Sequence, residues 1–194
     1  MEPILEVFES FLDVHDADCL ALVQSESRPR RYKKGEIVIR AGEIQTEIPF
    51  LLSGAFWCYY ADGAGKRHME CLTDVKYFPM TPVADLAQFG QPSEVYMETL
   101  LPTEAVSLPT EVVVDIVRRY PEVYEAMGRL VTTSLQWHRQ YLMWNSHSVP
   151  ERYQMFCEMY PELSSRLTKT AIASLLNTSL PVLTRALMNE AENK

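Results

Sequence analysis

Residues Leu167 to Leu187, LTKTAIASLLNTSLPVLTRAL, have the spacing of two short helices joined by a tight turn. Thr168 is placed to cap the first helix through its hydroxyl, and Ile172, Leu175 and Leu176 supply one apolar face. Asn177 tolerates the left-handed backbone that a sharp turn demands. Ser179 recaps the chain, Pro181 falls in a first turn where a missing N–H is harmless, and Val182, Leu183, Ala186 and Leu187 return the apolar face. Such spacing is that of a helix-turn-helix, in which the start of the second helix meets DNA base edges. Leu180 and Pro181 stand at that start; Thr184 and Arg185 are its polar candidates for bases, with Thr168, Lys169 and Ser179 available for phosphates. An ordinary helical hairpin in a small core has the same spacing.

Charge restrains the DNA reading. Phosphate neutralisation supplies most non-specific affinity, and the chain carries a formal −8. From Ser148 onward basic and acidic residues balance, with no strong basic patch. The one cluster, Arg28, Arg30, Arg31, Lys33 and Lys34, reads as a solvated strand edge.

With 194 residues, 47% of them hydrophobic, and no long uncharged run, the chain predicts a soluble globular protein of one large or two small domains. Glu6, Glu9 and Asp13 interrupt the first apolar segment, so neither a signal peptide nor a membrane span is expected, and the cytoplasm is the expected location. Cys19, Cys58, Cys71 and Cys157 lack paired spacing and read as plain thiols, outside any zinc site or disulfide framework. His15, His68, His138 and His147 form no ligand pair. No metal, cofactor or catalytic residue is expected.

From Pro29 to Pro109 short β-favouring runs alternate with turn residues. Strands are expected at Ile37 to Ile39, Pro49 to Leu52, Ala55 to Tyr60, His68 to Leu72, Val75 to Phe78, Val95 to Leu101 and Ala105 to Leu108, an all-β roll or barrel. Met80 to Pro92, with prolines at both ends, reads as a short helix. After Pro109 the pattern is helical: Val112 to Tyr120, stopped before Pro121, then a long helix from about Glu122 to Ser146. Along it Val123, Met127, Leu130, Ser134, Trp137, Tyr141 and Trp144 recur at the alternating spacing of a coiled-coil seam. That row is expected to meet a second copy of the chain, while Val131, Leu135, His138 and Leu142 bury against the roll; an amphipathic helix packed wholly within one chain is the alternative. Ser148-Val149-Pro150-Glu151 is a capping box that opens a helix ending at Tyr160-Pro161. The expected domains are therefore 1–146, a roll with its dimerisation helix, and 147–194, a shortened helix-turn-helix unit.

This order, with the residues YKKGEIVIRAGE, LLSGAFWCYY, DGAGKR, VPERY, YPEL and IASLLNTSLPVLTR, resembles the Crp/Fnr family of bacterial transcription regulators over nearly the whole chain. Lys34 to Lys66 match the cyclic-nucleotide-binding roll, and Ile172 to Ser179 are similar to the family's first helix and turn, where Gly is usual at the place of Asn177. The resemblance implies an α+β fold: an N-terminal double-stranded β-helix (jelly roll) of cyclic-nucleotide-binding type, a long dimerisation helix and a C-terminal helix-turn-helix. It also implies a homodimer that binds double-stranded DNA and senses a small effector in its roll, here between Phe78, Met80, Tyr96 and Glu98 and the helix residues Trp137 and Tyr141.

Two departures qualify what carries over. The family's cyclic-nucleotide binders hold the phosphate with a Gly-Glu pair and an Arg followed by Ser or Thr. This chain has no arginine between Arg67 and Arg118, only Lys76, with Asp85, Glu94 and Glu98 nearby. A cyclic phosphate would lack its bidentate guanidinium, so neither cyclic AMP nor cyclic GMP is the expected effector. The recognition helix starts with Leu180 and Pro181 where relatives carry Arg, Ser or Glu, although Arg185 matches a usual Arg. A signalling or scaffold dimer that has lost DNA contact and acts through a protein partner is the alternative.

Overall fold

The computed structural model describes residues 3–76, 78–80 and 90–192. Its strands are β1 (Arg28–Tyr32), β2 (Ile37–Ile39), β3 (Glu47–Ser53), β4 (Ala55–Ala61), β5 (Arg67–Asp74), β6 (Tyr96–Thr99) and β7 (Thr103–Pro109). They form two sheets, ordered β1-β7-β3 and β2-β6-β4-β5. β1 and β3 pair antiparallel with β7, and β2 with β6: Arg30 lies opposite Ala105, Phe50 opposite Val106, and Ile37 opposite Glu98. The basic run Arg28 to Arg31 is an edge strand.

The helices are α1 (Pro3–Glu6), which runs into a π-helical turn at Val7–Phe11, α2 (Ala17–Glu26), α3 (Thr110–Arg119), α4 (Pro121–Trp144), α5 (Val149–Met159), α6 (Pro161–Arg166), α7 (Lys169–Leu175) and α8 (Leu180–Glu192). Asp16 caps α2 by accepting the Cys19 N–H at 2.9 Å. Tyr120, extended ahead of Pro121, separates α3 from α4. The α+β class and the roll-then-helices order agree with the sequence expectation.

Alternation along β3 sorts the roll's core. Ile48 and Phe50 join Phe8, Val106, Leu108, Ile116 and Leu130 in one cluster, with the Phe8 and Phe50 rings 5.4 Å apart. Leu51, one residue on, faces the other way and packs with Ile39, Phe56, Cys58, Val95 and Met97. Each fully buried side chain of this kind contributes about 1.5–3 kcal/mol. Gly54 turns β3 into β4 at φ +88°, where an added Cβ would lie 2.8 Å from the Thr103 Cα and 2.9 Å from the Pro102 carbonyl oxygen.

One local expectation meets a different outcome and another falls largely outside the described residues. Of the strand expected at Val75 to Phe78, Tyr77 lies outside the described residues; β5 ends at Asp74, the Phe78 N–H donates to the Asp74 carbonyl at 3.1 Å, and Val75 is exposed rather than part of a strand. The short helix at Met80 to Pro92 falls largely on residues 81–89, outside the described residues.

The faces of α4 are also exchanged. Met127, Leu130, Ser134, Trp137, Tyr141 and Trp144, expected to form a seam between two chains, turn inward within their own chain. Leu130 is 4% exposed in the same cluster as Phe50, Met127 packs on that cluster, and Trp144 is 7% exposed. Trp137 donates its indole N–H to the Tyr160 hydroxyl at 3.1 Å and stacks on Tyr141. The row expected to bury faces outward instead: Val131, Leu135 and Leu142 are 42, 67 and 61% exposed, and His138 is exposed with them. Both rows have heptad spacing, but the one with two tryptophans carries more apolar area and gains more from burial.

The described residues fall into two compact units. One holds the roll, the N-terminal helices, α3 and α4 through Leu135; the other holds the β4–β5 hairpin tip, Tyr59–Glu70, with the chain from Gln136 onward.

Candidate nucleic-acid interface

In the second unit, short polar residues open α5, α7 and α8. Glu151 accepts hydrogen bonds from the Ser148 backbone N–H at 2.8 Å and hydroxyl at 2.6 Å, opening α5 as the capping box predicts. Those bonds hold the Glu151 carboxyl below its ordinary value. The Thr168 hydroxyl accepts the Ala171 N–H at 3.2 Å and starts α7. After Leu176, Asn177 adopts φ +50°, and the Thr178 N–H donates to the Ala173 carbonyl at 2.9 Å. The Ser179 carbonyl then accepts the first helical bond of α8, from Leu183 at 2.9 Å.

The two helices meet at 97°, within the range of helix-turn-helix units. Ile172, Leu175, Leu176 and Leu183 lock their junction, Leu183 being wholly buried. Arg152, a residue sequence reasoning passed over, reaches from α5 to donate to the Leu176 carbonyl at 2.7 Å. It thereby satisfies one of the acceptors left free where α7 ends.

The residues assigned to DNA gather around the N-termini of α7 and α8. Thr168, Lys169, Ser179, Leu180 and Arg185 are exposed, and Thr184 is half-buried. Sequence reasoning also missed a charge signal. Between Glu162 and Glu190 there is no acidic residue, while Arg166, Lys169 and Arg185 are all basic and exposed. Counting the whole of Ser148 to Lys194 had averaged this cationic segment against acids at either end.

The residues assigned to an effector lie in different settings. Met80 is 2% exposed in the Phe50 cluster, against which Phe78 packs. On β6, Tyr96 and Glu98 are half-buried on the face opposite Met97 and Thr99, and Met97 points into the other cluster. In the second unit burial raises the Tyr141 phenol above its ordinary pKa. The roll holds a cavity of about 350 Å³ lined by Arg30, Tyr32, Ile39, Glu47, Pro49 and Ser107 among others, and by none of those six residues. There Arg30 of β1 and Glu47 of β3 form a bidentate ion pair from strands on either side of β7.

Among the described residues no group of three or more His, Cys, Asp and Glu is placed to hold a metal ion, and no single helix is long and apolar enough to cross a membrane.

The described elements are a jelly roll, a long helix with an outward apolar row and a terminal helix pair meeting at 97°. Solved structures share this build at the level of fold. The chain is similar to CLP, the c-di-GMP responsive global regulator of Xanthomonas campestris, at TM-score 0.74 and 15% identity, covering 92% of this chain and 93% of that one. FixK2 from Bradyrhizobium japonicum aligns at TM-score 0.71 and 14% identity over 86% and 85% of the two chains. A Eubacterium rectale protein described as a transcriptional regulator of the crp/fnr family aligns at TM-score 0.76 and 18% identity over 94% and 86%. The chain thus has the Crp/Fnr fold. No family model matches the sequence, and no curated protein sequence does.

Proposed function

We propose that this chain is a homodimeric, cytoplasmic DNA-binding transcription regulator of the Crp/Fnr type, whose roll responds to an effector other than cyclic AMP or cyclic GMP. The observation that carries the reading is the capped 97° helix pair, exposed at its N-termini, inside a segment with three cations and no acid. Thr168, Lys169 and Ser179 serve phosphates; Leu180, Thr184 and Arg185 face the bases. The acidic excess that makes the total −8 lies outside this segment, so local charge supports a DNA partner that the total opposes.

Dimerisation runs through the outward row of α4. Tyr124, Gly128, Val131, Leu135, His138 and Leu142 repeat at spacings of four and three, and nothing lies within 4 Å of a Cβ built on Gly128. A second α4 can approach closely there. Pairing would set two helix-turn-helix units on successive major grooves. The effector acts by changing how the helices pair.

The test is retention of genomic DNA fragments by the purified protein across salt concentrations. Retention that falls steeply with salt supports phosphate contact; no retention even at low salt overturns the regulator reading in favour of a scaffold dimer acting through a protein partner.

A further inference from the structure

The exposed start of α8 is apolar, and a DNA reader needs that surface to meet something. Leu180 and Val182 are 37 and 47% exposed, Pro181 is exposed between them, and Met188 is 62% exposed two turns along. Leu183, in the same turn, is fully buried, so the helix is not rotated to hide its hydrocarbon. Arg185 is the one charged side chain on α8 before Glu190.

We propose that this helix selects DNA by the 5-methyl groups of pyrimidines in the major groove, with Leu180, Pro181 and Val182 as the specificity-determining residues. The inference rests on the DNA-binding reading above and deepens it. In the major groove every base edge offers a donor or acceptor, and the thymine methyl is the only apolar group among the four unmodified bases. Hydrocarbon pressed against a guanine or cytosine edge would strip water from polar atoms and return no hydrogen bond, a penalty that disfavours those bases. Against a methyl the same hydrocarbon gains by burial. Arg185, one turn further along, supplies a bidentate contact to a guanine beside the methyl-bearing step. Affinity in this arrangement comes from the acid-free cationic segment, and discrimination from the apolar turn.

The experiment selects a duplex from a random library with the full-length protein, then replaces thymine by deoxyuridine at the enriched positions. That change removes a methyl and leaves base pairing intact. One buried methyl corresponds to about fourfold in affinity, so removing one per half-site should weaken binding about fifteenfold. Placing 5-methylcytosine opposite guanine at those positions should bind more tightly than unmethylated cytosine. Leu180→Ala, at an exposed site that leaves folding intact, should shrink the thymine-to-deoxyuridine ratio while leaving the salt dependence unchanged. If a duplex is selected but thymine and deoxyuridine bind equally, the methyl proposal is overturned and the DNA-binding reading stands. If no duplex is enriched at low salt, both fall, and the apolar turn is a protein-docking surface.

Discussion

Leu135→Asp separates the two faces of α4. Leu135 is 67% exposed in the single chain, so the substitution should change folding stability by no more than about 0.5 kcal/mol. In a two-fold helix pair the residue is buried in both chains. Each leucine then contributes about 2 kcal/mol, about 4 per dimer, which is about a thousandfold in dissociation constant before the cost of desolvating two carboxylates is added. Sedimentation equilibrium over a range of concentrations reads this directly: the native chain should be a dimer and the variant a folded monomer. Leu130→Asp is the contrasting variant, because Leu130 is 4% exposed in the core and its replacement should unfold the roll. A Leu135→Asp protein that stays dimeric, with Trp137→Ala dissociating instead, would refute the face assignment.

Other consequences are local. Gly54→Ala should cost about 2–5 kcal/mol, the sum of a left-handed backbone penalty and overpacking against Thr103 and Pro102, visible as a lowered denaturant midpoint. Burial, reinforced by Asp16 and Glu122, pushes the Cys19 thiol up to about 11. With Cys58 buried as well, a thiol reagent at pH 8 should modify only Cys71 and Cys157 in the native protein, and all four cysteines in denaturant. The Glu151 carboxyl is held below its ordinary 4.5, so its cap stabilises α5 above that pH and is lost as pH falls through the lower folded-state value. Glu151→Gln should flatten the acid dependence of helix content. Tyr160→Phe strips the indole of its acceptor and should lower stability by about 1 kcal/mol, with a shift in Trp137 fluorescence.

What the sequence made legible was what neighbouring residues decide. The Ser148–Glu151 cap, the Thr168 cap, the positive φ of Asn177 and the break before Pro121 are short-range steric or hydrogen-bonding outcomes, and each is found where expected. Strands β2 and β4 follow the same logic. Periodicity on α4 located two apolar rows but not which one turns inward, since that depends on what the rest of the chain packs against them. Pro161 ends α5 as expected but also begins α6, because proline is as suited to a first turn as it is hostile to a last one. The grouping of the Tyr59–Glu70 tip with the terminal helices had no local signal at all. The cationic character of residues 163–189 was present in the sequence and obscured only by the window over which charge was summed.

In the proposed complex two chains, paired along the outward face of α4, offer twin helix pairs to one duplex. Light-scattering mass measurement of the complex with a library-selected duplex tests this most directly. It should give two chains per duplex, with the complex dissociating as salt rises. A single chain per duplex, or a protein that passes through unshifted at low salt, would contradict it.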